Sequence, residues 1–235
     1  MAVLPMPMVA QTTTTTGDGR PSEDAQYDCV PASIMAGVIC LKGLKGWTPQ
    51  YNPDKLLNTA YPEGYVGPTN AAEFAPHMHL FGAEIVPQKG SNKSLVALAH
   101  KQLQAGHPVV FTEPDPYKEG WSHVCCFYGE VDGGLLALDP YPVGHTIEKS
   151  DSGWQSTLLY GQIWVVSLLP EQPEGEGTYT IKEGDTLWNI ATSHHMTVNA
   201  LFEKNREKLD QVAKEHDEAS SEGGRWIYPG TVLEL

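Results

Sequence analysis

An eight-residue segment without a hydrophobic side chain divides this chain of 235 residues. Residues 170–177 read PEQPEGEG, a run of proline, glutamate, glutamine and glycine only. A segment of this composition has nothing to bury in a core and is typical of a semi-extended linker. With the boundary near residue 172, the sequence predicts two separate folding units, over residues 22–169 and 178–235.

The longer unit changes its pattern along the chain. Apolar residues recur at helical spacing after Pro31, and a second helical pattern runs from a Ser91 cap to a Gly106 stop. Strand-like runs then follow, namely HPVVFTE, SHVCCFYGEV, GLLALDPY and GQIWVVSLL. Helices followed by consecutive strands are typical of an α+β fold with an antiparallel sheet.

The charge of the chain limits its partners. The formal net charge is −14, and binding to nucleic acid depends on clustered Lys and Arg, so neither a nucleic acid nor an anionic membrane is an expected partner. No apolar run approaches the ~18 residues that indicate a membrane span. Residues 1–21 start apolar but contain prolines and a threonine run without a basic region, which predicts a flexible arm rather than a signal peptide.

The four cysteines are too few for a disulfide scaffold, and no CxxC spacing indicates zinc. Cys40, Cys125 and Cys126 are expected to be buried thiols. Cys29 differs because it lies just before Pro31 at the predicted start of a helix, where the helix dipole favours a thiolate. It is either a buried spacer or a nucleophile, and the second role requires a base and an orienting group elsewhere.

A hairpin supplies candidates for both groups. His123 begins the strand SHVCCFYGEV, Asp139 ends the strand GLLALDPY, and the Asp132-Gly133 turn between them favours a tight hairpin. The start of one antiparallel strand lies beside the end of its partner, so His123 and Asp139 should be neighbours. A carboxylate in this place can fix the tautomer of an imidazole base.

The three candidates occur within a wider pattern. The order DCVPAS, then GHPVVF, then SHVCCFYGEV, then LDPY resembles the papain-like C39-type cysteine peptidases. The resemblance covers about residues 22–169 and implies Cys29 as nucleophile, His123 as general base and Asp139 as orienting residue. Family members often have glycine after the cysteine, where this chain has Val30.

The same resemblance implies an oxyanion hole beside the nucleophile. In the family a glutamine before the cysteine helps to form it, and Gln26 is the only glutamine near enough, although its separation of three residues is short. The alternative is a hole made by the Cys29 backbone N–H with Asp28 or Gln26. Each donor aimed at a tetrahedral oxyanion is worth about 3 kcal/mol.

Other polar residues invite a metal interpretation, which the spacing does not favour. The pairs His77/His79 and His194/His195 have no carboxylate at a matching helical or strand spacing, so neither a metal nor another cofactor is expected. Cys125 shares a strand face with His123, and packing in the core is its expected role.

The C-terminal unit opens with TYTIKEGDTLWNIA and ends with IYPGTVLEL. Both stretches resemble the LysM module, a small βααβ fold that binds glycans containing N-acetylglucosamine. The resemblance implies a shallow sugar groove between the loop after the first strand and the loop before the last. The residues at these positions are Gly184, Asp185, Thr186, Leu187, Ile227 and Tyr228. Gly184-Asp185 is expected to cap the first helix, and Trp188 to pack in the core.

The two resemblances together predict a peptidoglycan hydrolase, an endopeptidase or amidase held on the wall glycan by the second unit. The predicted setting is a phage endolysin, present in the host cytoplasm before release, or a lysin carried on a phage particle, with the arm on tail proteins. Two alternatives remain open: a non-catalytic tail or baseplate component that binds cell wall, and a C39-type leader peptidase.

Overall fold

The computed structural model describes residues 1–11, 28–62, 69–141, 143–170, 177–194 and 196–235. The chain forms two compact units, Met1–Leu168 and Leu169–Leu235. Both combine helices with antiparallel strands, so the predicted α+β class is confirmed. Within these described ranges, every helix is too short or too polar to cross a bilayer.

The first unit contains one six-stranded antiparallel sheet in the order β1-β6-β2-β3-β4-β5. Its helices are α1 (Cys29–Leu41), α2 (Pro53–Ala60), α3 (Ala71–Phe74), α4 (Asn92–Gln104) and α5 (Asp151–Thr157), and a 3₁₀ helix spans Ala75–Phe81. Its strands are β1 (Ala83–Lys89), β2 (Val109–Pro114), β3 (Ser122–Val131), β4 (Gly134–Asp139), β5 (His145–Ser150) and β6 (Gln162–Leu168).

Helix α1 covers one face of this sheet. All of its residues from Val30 to Cys40 are buried, as expected for a helix that is apolar all round. Gly37 allows the close approach, because a Cβ there would lie 3.1 Å from Val166 Cγ2 of β6. The resulting core joins α1 to alternate residues of β3, including Val124 and Cys126.

Helices α4 and α5 cover the opposite face. The helices begin at Ser91 and Ser150, whose side chains accept backbone N–H bonds, as the Ser91 cap was predicted to do. Phe111 and Phe127 stack at 3.9 Å between ring centroids, and Trp154 of α5 meets both rings edge-on. The residues of β3 that alternate with Val124 and Cys126 therefore point into a second, aromatic core.

Residues 1–11 differ from the predicted flexible arm. Leu4 N donates to Tyr128 O at 2.8 Å, and Gln11 N donates to Pro140 O at 2.8 Å. Met6 and Val9 are buried in the same core as α1. The apolar start of the chain is thus a packed segment, because Met6 and Val9 are buried in the core that also contains α1 and residues of β3. Residues 12–21 of the predicted arm lie outside the described residues.

The second unit has the predicted βααβ order. It consists of β7 (Thr178–Thr180), α6 (Leu187–Ser193), α7 (Val198–Glu215), a 3₁₀ turn (Glu222–Gly224) and β8 (Val232–Glu234). Strands β7 and β8 pair antiparallel. Asn205 of α7 is buried and ties the helix to β8, since its side chain donates to Glu234 O at 2.8 Å and accepts from Glu234 N at 2.7 Å.

Candidate functional site

The hairpin of β3 and β4 brings together a buried histidine and a buried aspartate. His123 is 4% exposed and Asp139 is 0% exposed. His123 Nε2 donates to Asp139 Oδ1 at 2.7 Å. The two residues lie at the same end of adjacent antiparallel strands, where hairpin geometry places them. This arrangement leaves Nδ1 of the imidazole available to another partner.

Cys29 is the first residue of α1 and its side chain is half-buried. One helical turn later, Ser33 Oγ donates to Val124 O at 2.8 Å, which attaches α1 to β3 at the residue after His123. Residues four apart lie on one face of a helix. Cys29 therefore lies on the face of α1 that packs against β3 next to His123, and its thiol contributes to raising the pKa of His123.

The charges of the pair are set by its hydrogen bonds. Burial lowers the pKa of His123, but the hydrogen bond to Asp139, with smaller contributions from the Cys125 and Cys29 thiols, outweighs it and raises the pKa well above the ordinary histidine value. Burial likewise raises the pKa of Asp139, and the bond to His123 outweighs it, so that the pKa of Asp139 lies below its usual value. Both effects favour an imidazolium beside a carboxylate at neutral pH.

A second thiol lies near the same imidazole. Cys125 is fully buried in the aromatic core, as predicted, and its thiol donates to Glu113 Oε1 at 3.8 Å. Burial raises the pKa of Cys125 to about 12, in spite of the opposing hydrogen bond to His123. Burial also raises the pKa of Cys40 to about 11. These thiols are therefore protonated at neutral pH.

Ligand-type atoms of His123, Cys125 and Asp139 lie within 4.8 Å of one another, a spacing that could hold a metal ion. A metal bound directly by His123 Nε2 and Asp139 Oδ1 would displace the hydrogen bond that joins these two atoms. Of the histidines considered for a metal, His79 Nδ1 lies 2.8 Å from Pro76 O. His195 lies outside the described residues.

Two neighbours of the pair were missed by sequence reasoning. The Tyr117 hydroxyl, from the loop between β2 and β3, donates to Asp139 Oδ2 at 2.8 Å. Glu113 is buried directly opposite His123 in the β2–β3 register and pairs with Lys149 of β5. The register of the predicted strands would have indicated Glu113, whereas no pattern in the sequence marks Tyr117.

The predicted oxyanion residues have different outcomes. Asp28 is buried at the N-cap position of α1, and its backbone carbonyl accepts from Ala32 N at 2.9 Å. An ionised carboxylate accepts hydrogen bonds and does not donate them, so donors at this helix start are backbone N–H groups. Gln26 lies outside the described residues.

The predicted glycan residues of the second unit lie at two loops. Asp185 closes the turn after β7, where Oδ2 accepts from Lys182 N at 2.7 Å and from the Tyr179 hydroxyl at 2.8 Å. The N-cap of α6 is Thr186, whose hydroxyl accepts from Asn189 N, so the prediction that Gly184-Asp185 caps this helix is wrong. Asp185 does not cap the helix because its carboxylate already accepts hydrogen bonds within the turn, and the Thr186 hydroxyl accepts the helix N–H instead.

Sequence comparison identifies this unit. Residues 179–211 match the sequence model of the LysM domain. The C-terminal unit contains a LysM domain. The matched segment runs from β7 into α7, and no curated protein matches the chain.

Solved structures similar to this chain include C39-like peptidase domains, as the motifs predict. The peptidase domain of Streptococcus ComA, described as a bi-functional ABC transporter involved in quorum sensing, is 18% identical over 62% of this chain and 93% of that chain, with a TM-score of 0.42. A putative C39-like peptidase from Bacillus anthracis is 12% identical over 71% and 97%, with a TM-score of 0.45. Pseudomonas avirulence protein AvrPphB is 12% identical over 62% and 94%, with a TM-score of 0.34.

The LysM domain departs from the sequence predictions at its aromatic residues. Trp188 is 51% exposed, so the prediction that it packs in the core is wrong. Leu187 is instead the buried residue at the start of α6, because helical spacing directs it, with Ile190 and Ala191, to the core. Trp188, the next residue, lies on the solvent-exposed side of α6.

The long connection after α7 returns to the predicted groove. It comes so close to Leu187 that a side chain at Gly224 would collide with the Leu187 methyl group. At its start, His216 stacks on Tyr228 with 3.8 Å between ring centroids and 6° between planes. Of the predicted glycan residues, Leu187 is thus buried, Ile227 is partly buried against the core, and Tyr228 has one face covered by an imidazole.

Proposed function

We propose that this protein is a cysteine hydrolase that cleaves amide bonds in the peptide part of peptidoglycan, with its LysM domain bound to the glycan. The observation that supports it best is the buried His123–Asp139 pair, joined at 2.7 Å, together with the contribution of the Cys29 thiol to the raised pKa of His123. An imidazole held in this way has one nitrogen oriented by the carboxylate and the other free to exchange a proton with sulfur.

In the proposed reaction the Cys29 thiolate attacks the amide carbonyl carbon, and a C–S bond forms as the carbonyl π pair moves to oxygen. Backbone N–H groups at the start of α1 stabilise this oxyanion. The tetrahedral intermediate collapses, the C–N bond breaks, and His123 gives its proton to the departing amine. A water molecule, deprotonated by His123, then attacks the thioester carbonyl. The C–S bond breaks, the acyl group leaves as a carboxylic acid, and the Cys29 thiolate and the His123 imidazolium are restored.

The proposed role of the LysM domain is to keep the hydrolase on a repetitive polymer. Gly184, Asp185, Thr186 and Tyr228 flank the proposed groove for N-acetylglucosamine-containing glycan, and the exposed ring of Trp188 adds an apolar surface beside it. Linking a binding module to a catalytic one raises apparent affinity by about 10²–10⁴ when both engage together. The phage setting and a tail partner for the N-terminal segment stay predictions of the sequence.

The decisive experiment compares wild type with Cys29→Ala on purified cell walls. Wild type is expected to reduce turbidity and release amines or peptides, whereas Cys29→Ala is expected to lose at least about 10⁴-fold in rate because no nucleophile remains. Mass spectrometry of the released products identifies the bond. Cys40→Ala, which removes a buried thiol at the other end of α1, is the matched control and should retain activity.

Wall binding separates the alternatives. If wild type clears walls no faster than Cys29→Ala while both variants pellet with the walls, the protein is a wall-binding component and the hydrolase proposal is wrong. Cleavage of a peptide leader without any release from walls would support the leader peptidase instead.

A further inference from the structure

The loop between β2 and β3, residues 115–121, holds a tyrosine against the buried His123–Asp139 pair. Tyr117 is 46% exposed, whereas His123 and Asp139, with which it is in contact, are 4% and 0% exposed. Its ring meets the His123 ring edge-on, with 5.8 Å between centroids and 87° between planes. Tyr117 is therefore a layer between the imidazole and solvent on this side of the pair.

The hydroxyl of Tyr117 completes the hydrogen bonding of Asp139. Oδ1 of Asp139 accepts from His123 Nε2 at 2.7 Å and from Tyr141 N at 2.8 Å, and Oδ2 accepts from the Tyr117 hydroxyl at 2.8 Å. Three donors from three segments hold one carboxylate, which leaves it little freedom to rotate away from the imidazole. The Tyr117 hydroxyl also contacts Tyr141 O at 2.8 Å, and His145 Nε2 lies 3.8 Å from Asp139 Oδ2.

The loop is itself held in place. Asp115 Oδ1 accepts from Tyr117 N at 2.7 Å and from Lys118 N at 3.1 Å, and Asp115 N donates to Trp121 O at 2.9 Å. The β2–β3 register closes the loop at its base, where Pro114 lies opposite Ser122. The backbone position of Tyr117 is therefore fixed by hydrogen bonds within the loop.

We propose that Tyr117 is a positioning residue, which fixes Asp139 through its hydroxyl and excludes water from the His123–Asp139 hydrogen bond with its ring. Its effect on catalysis rests on the proposed hydrolase function, whereas its effect on the histidine proton does not. A hydrogen bond shielded from water is stronger and exchanges its proton more slowly, because the local dielectric is lower and water has less access. The imidazole then keeps the orientation that its hydrogen bond to Asp139 gives it.

Two variants separate the ring from the hydroxyl. Tyr117→Phe keeps the ring and removes the donor to Asp139, whereas Tyr117→Ala removes both. The expected loss in rate of amine release from purified walls is about tenfold for Tyr117→Phe and about 100-fold for Tyr117→Ala, by analogy with the range found when groups that orient a metal-binding histidine are removed. Tyr160→Phe, which removes the hydroxyl of a tyrosine that is 76% exposed, is the control and should keep the wild-type rate.

The second measurement does not depend on turnover. In protein labelled with ¹⁵N-histidine, the Nε2 proton of His123 is followed by NMR, and its exchange with water is expected to be at least ten times faster in Tyr117→Ala than in wild type. Tyr117→Phe should lie between them. Circular dichroism confirms folding, and Tyr117→Phe carries the test if Tyr117→Ala does not fold.

The outcomes distinguish the two proposals. If exchange speeds up as expected but wild type does not hydrolyse walls, the positioning role stands and the proposed function fails. If proton exchange is the same in wild type and the folded variants, Tyr117 does not shield the pair and this proposal is overturned, whatever happens to the rate.

Discussion

The two units of this protein place their candidate functional residues in different environments. In the first unit His123 and Asp139 lie almost entirely out of solvent and satisfy each other with hydrogen bonds. In the LysM domain Trp188 is half exposed, and the predicted glycan positions Gly184 and Tyr228 lie on loops at the surface. A site that shifts pKa values needs burial, whereas a site that holds a polymer needs accessible surface.

This contrast means that substitutions in the two units should act on different measurements. Changes at the buried pair are expected to alter reactivity and leave wall binding intact. Changes at exposed aromatic residues are expected to weaken wall binding and leave the chemistry of the first unit unchanged.

Among substitutions that leave the nucleophile in place, the largest effect is expected for Asp139→Asn. The amide keeps the shape of the side chain but removes the charge that favours the imidazolium, so the rate of hydrolysis should fall by about 10³-fold. Steady-state release of amines from purified walls measures it, and wall pelleting should give the wild-type affinity. A parallel loss of wall binding would show that the substitution disturbs folding rather than catalysis.

A smaller effect is expected in thiol labelling by iodoacetamide. At pH 7 the pKa values of about 11 for Cys40 and about 12 for Cys125 keep these buried thiols protonated, and only the thiolate is alkylated. Cys29 should therefore react at least about 100-fold faster than either. Peptide mapping after timed quenching gives the rates, and unfolding in guanidinium should make the four thiols similar. Equal rates in the folded protein would contradict the assigned environments.

The smallest of these effects is expected for Trp188→Ala. Loss of the exposed ring should weaken wall binding about tenfold, or about 1.4 kcal/mol, because less apolar surface contacts the sugar. Pelleting of the Cys29→Ala form, with and without the second substitution, measures affinity without degradation of the walls. Tyr160→Ala is the control, and equal weakening by both would mean that Trp188 is not part of the groove.

Much of the frame of the candidate site follows from local patterns in the sequence. The proline after Cys29 and the apolar residues behind it predict α1, and the Asp132-Gly133 turn predicts the hairpin that joins His123 to Asp139. The turn fixes the register of both strands, and this register places His123 beside Asp139, which lies sixteen residues later in the chain. This is why a contact between residues far apart in the chain was predictable.

Other contacts depend on surfaces that no local pattern describes. The sequence of residues 1–11 predicts a flexible arm, but in the folded protein Met6 and Val9 are buried in a core that includes residues of β3 and β4. Trp188 is predicted to pack in the core, but the helical spacing of α6 directs its neighbour Leu187 into the core and leaves Trp188 exposed. In both cases composition was a poor guide because burial is decided by the neighbours that the fold supplies.

The amino-acid sequence alone determined the division into two units, the α+β class, the hairpin and the LysM domain, because periodicity, turn residues and linker composition act over short stretches. Only the tertiary structure decided that Tyr117 covers the histidine, that Glu113 and Lys149 pair beside it, and that residues 1–11 pack on the sheet. These contacts join segments that are far apart in the sequence and that no local pattern links. They form because the assembled sheet and helices bring matching surfaces and polar groups together.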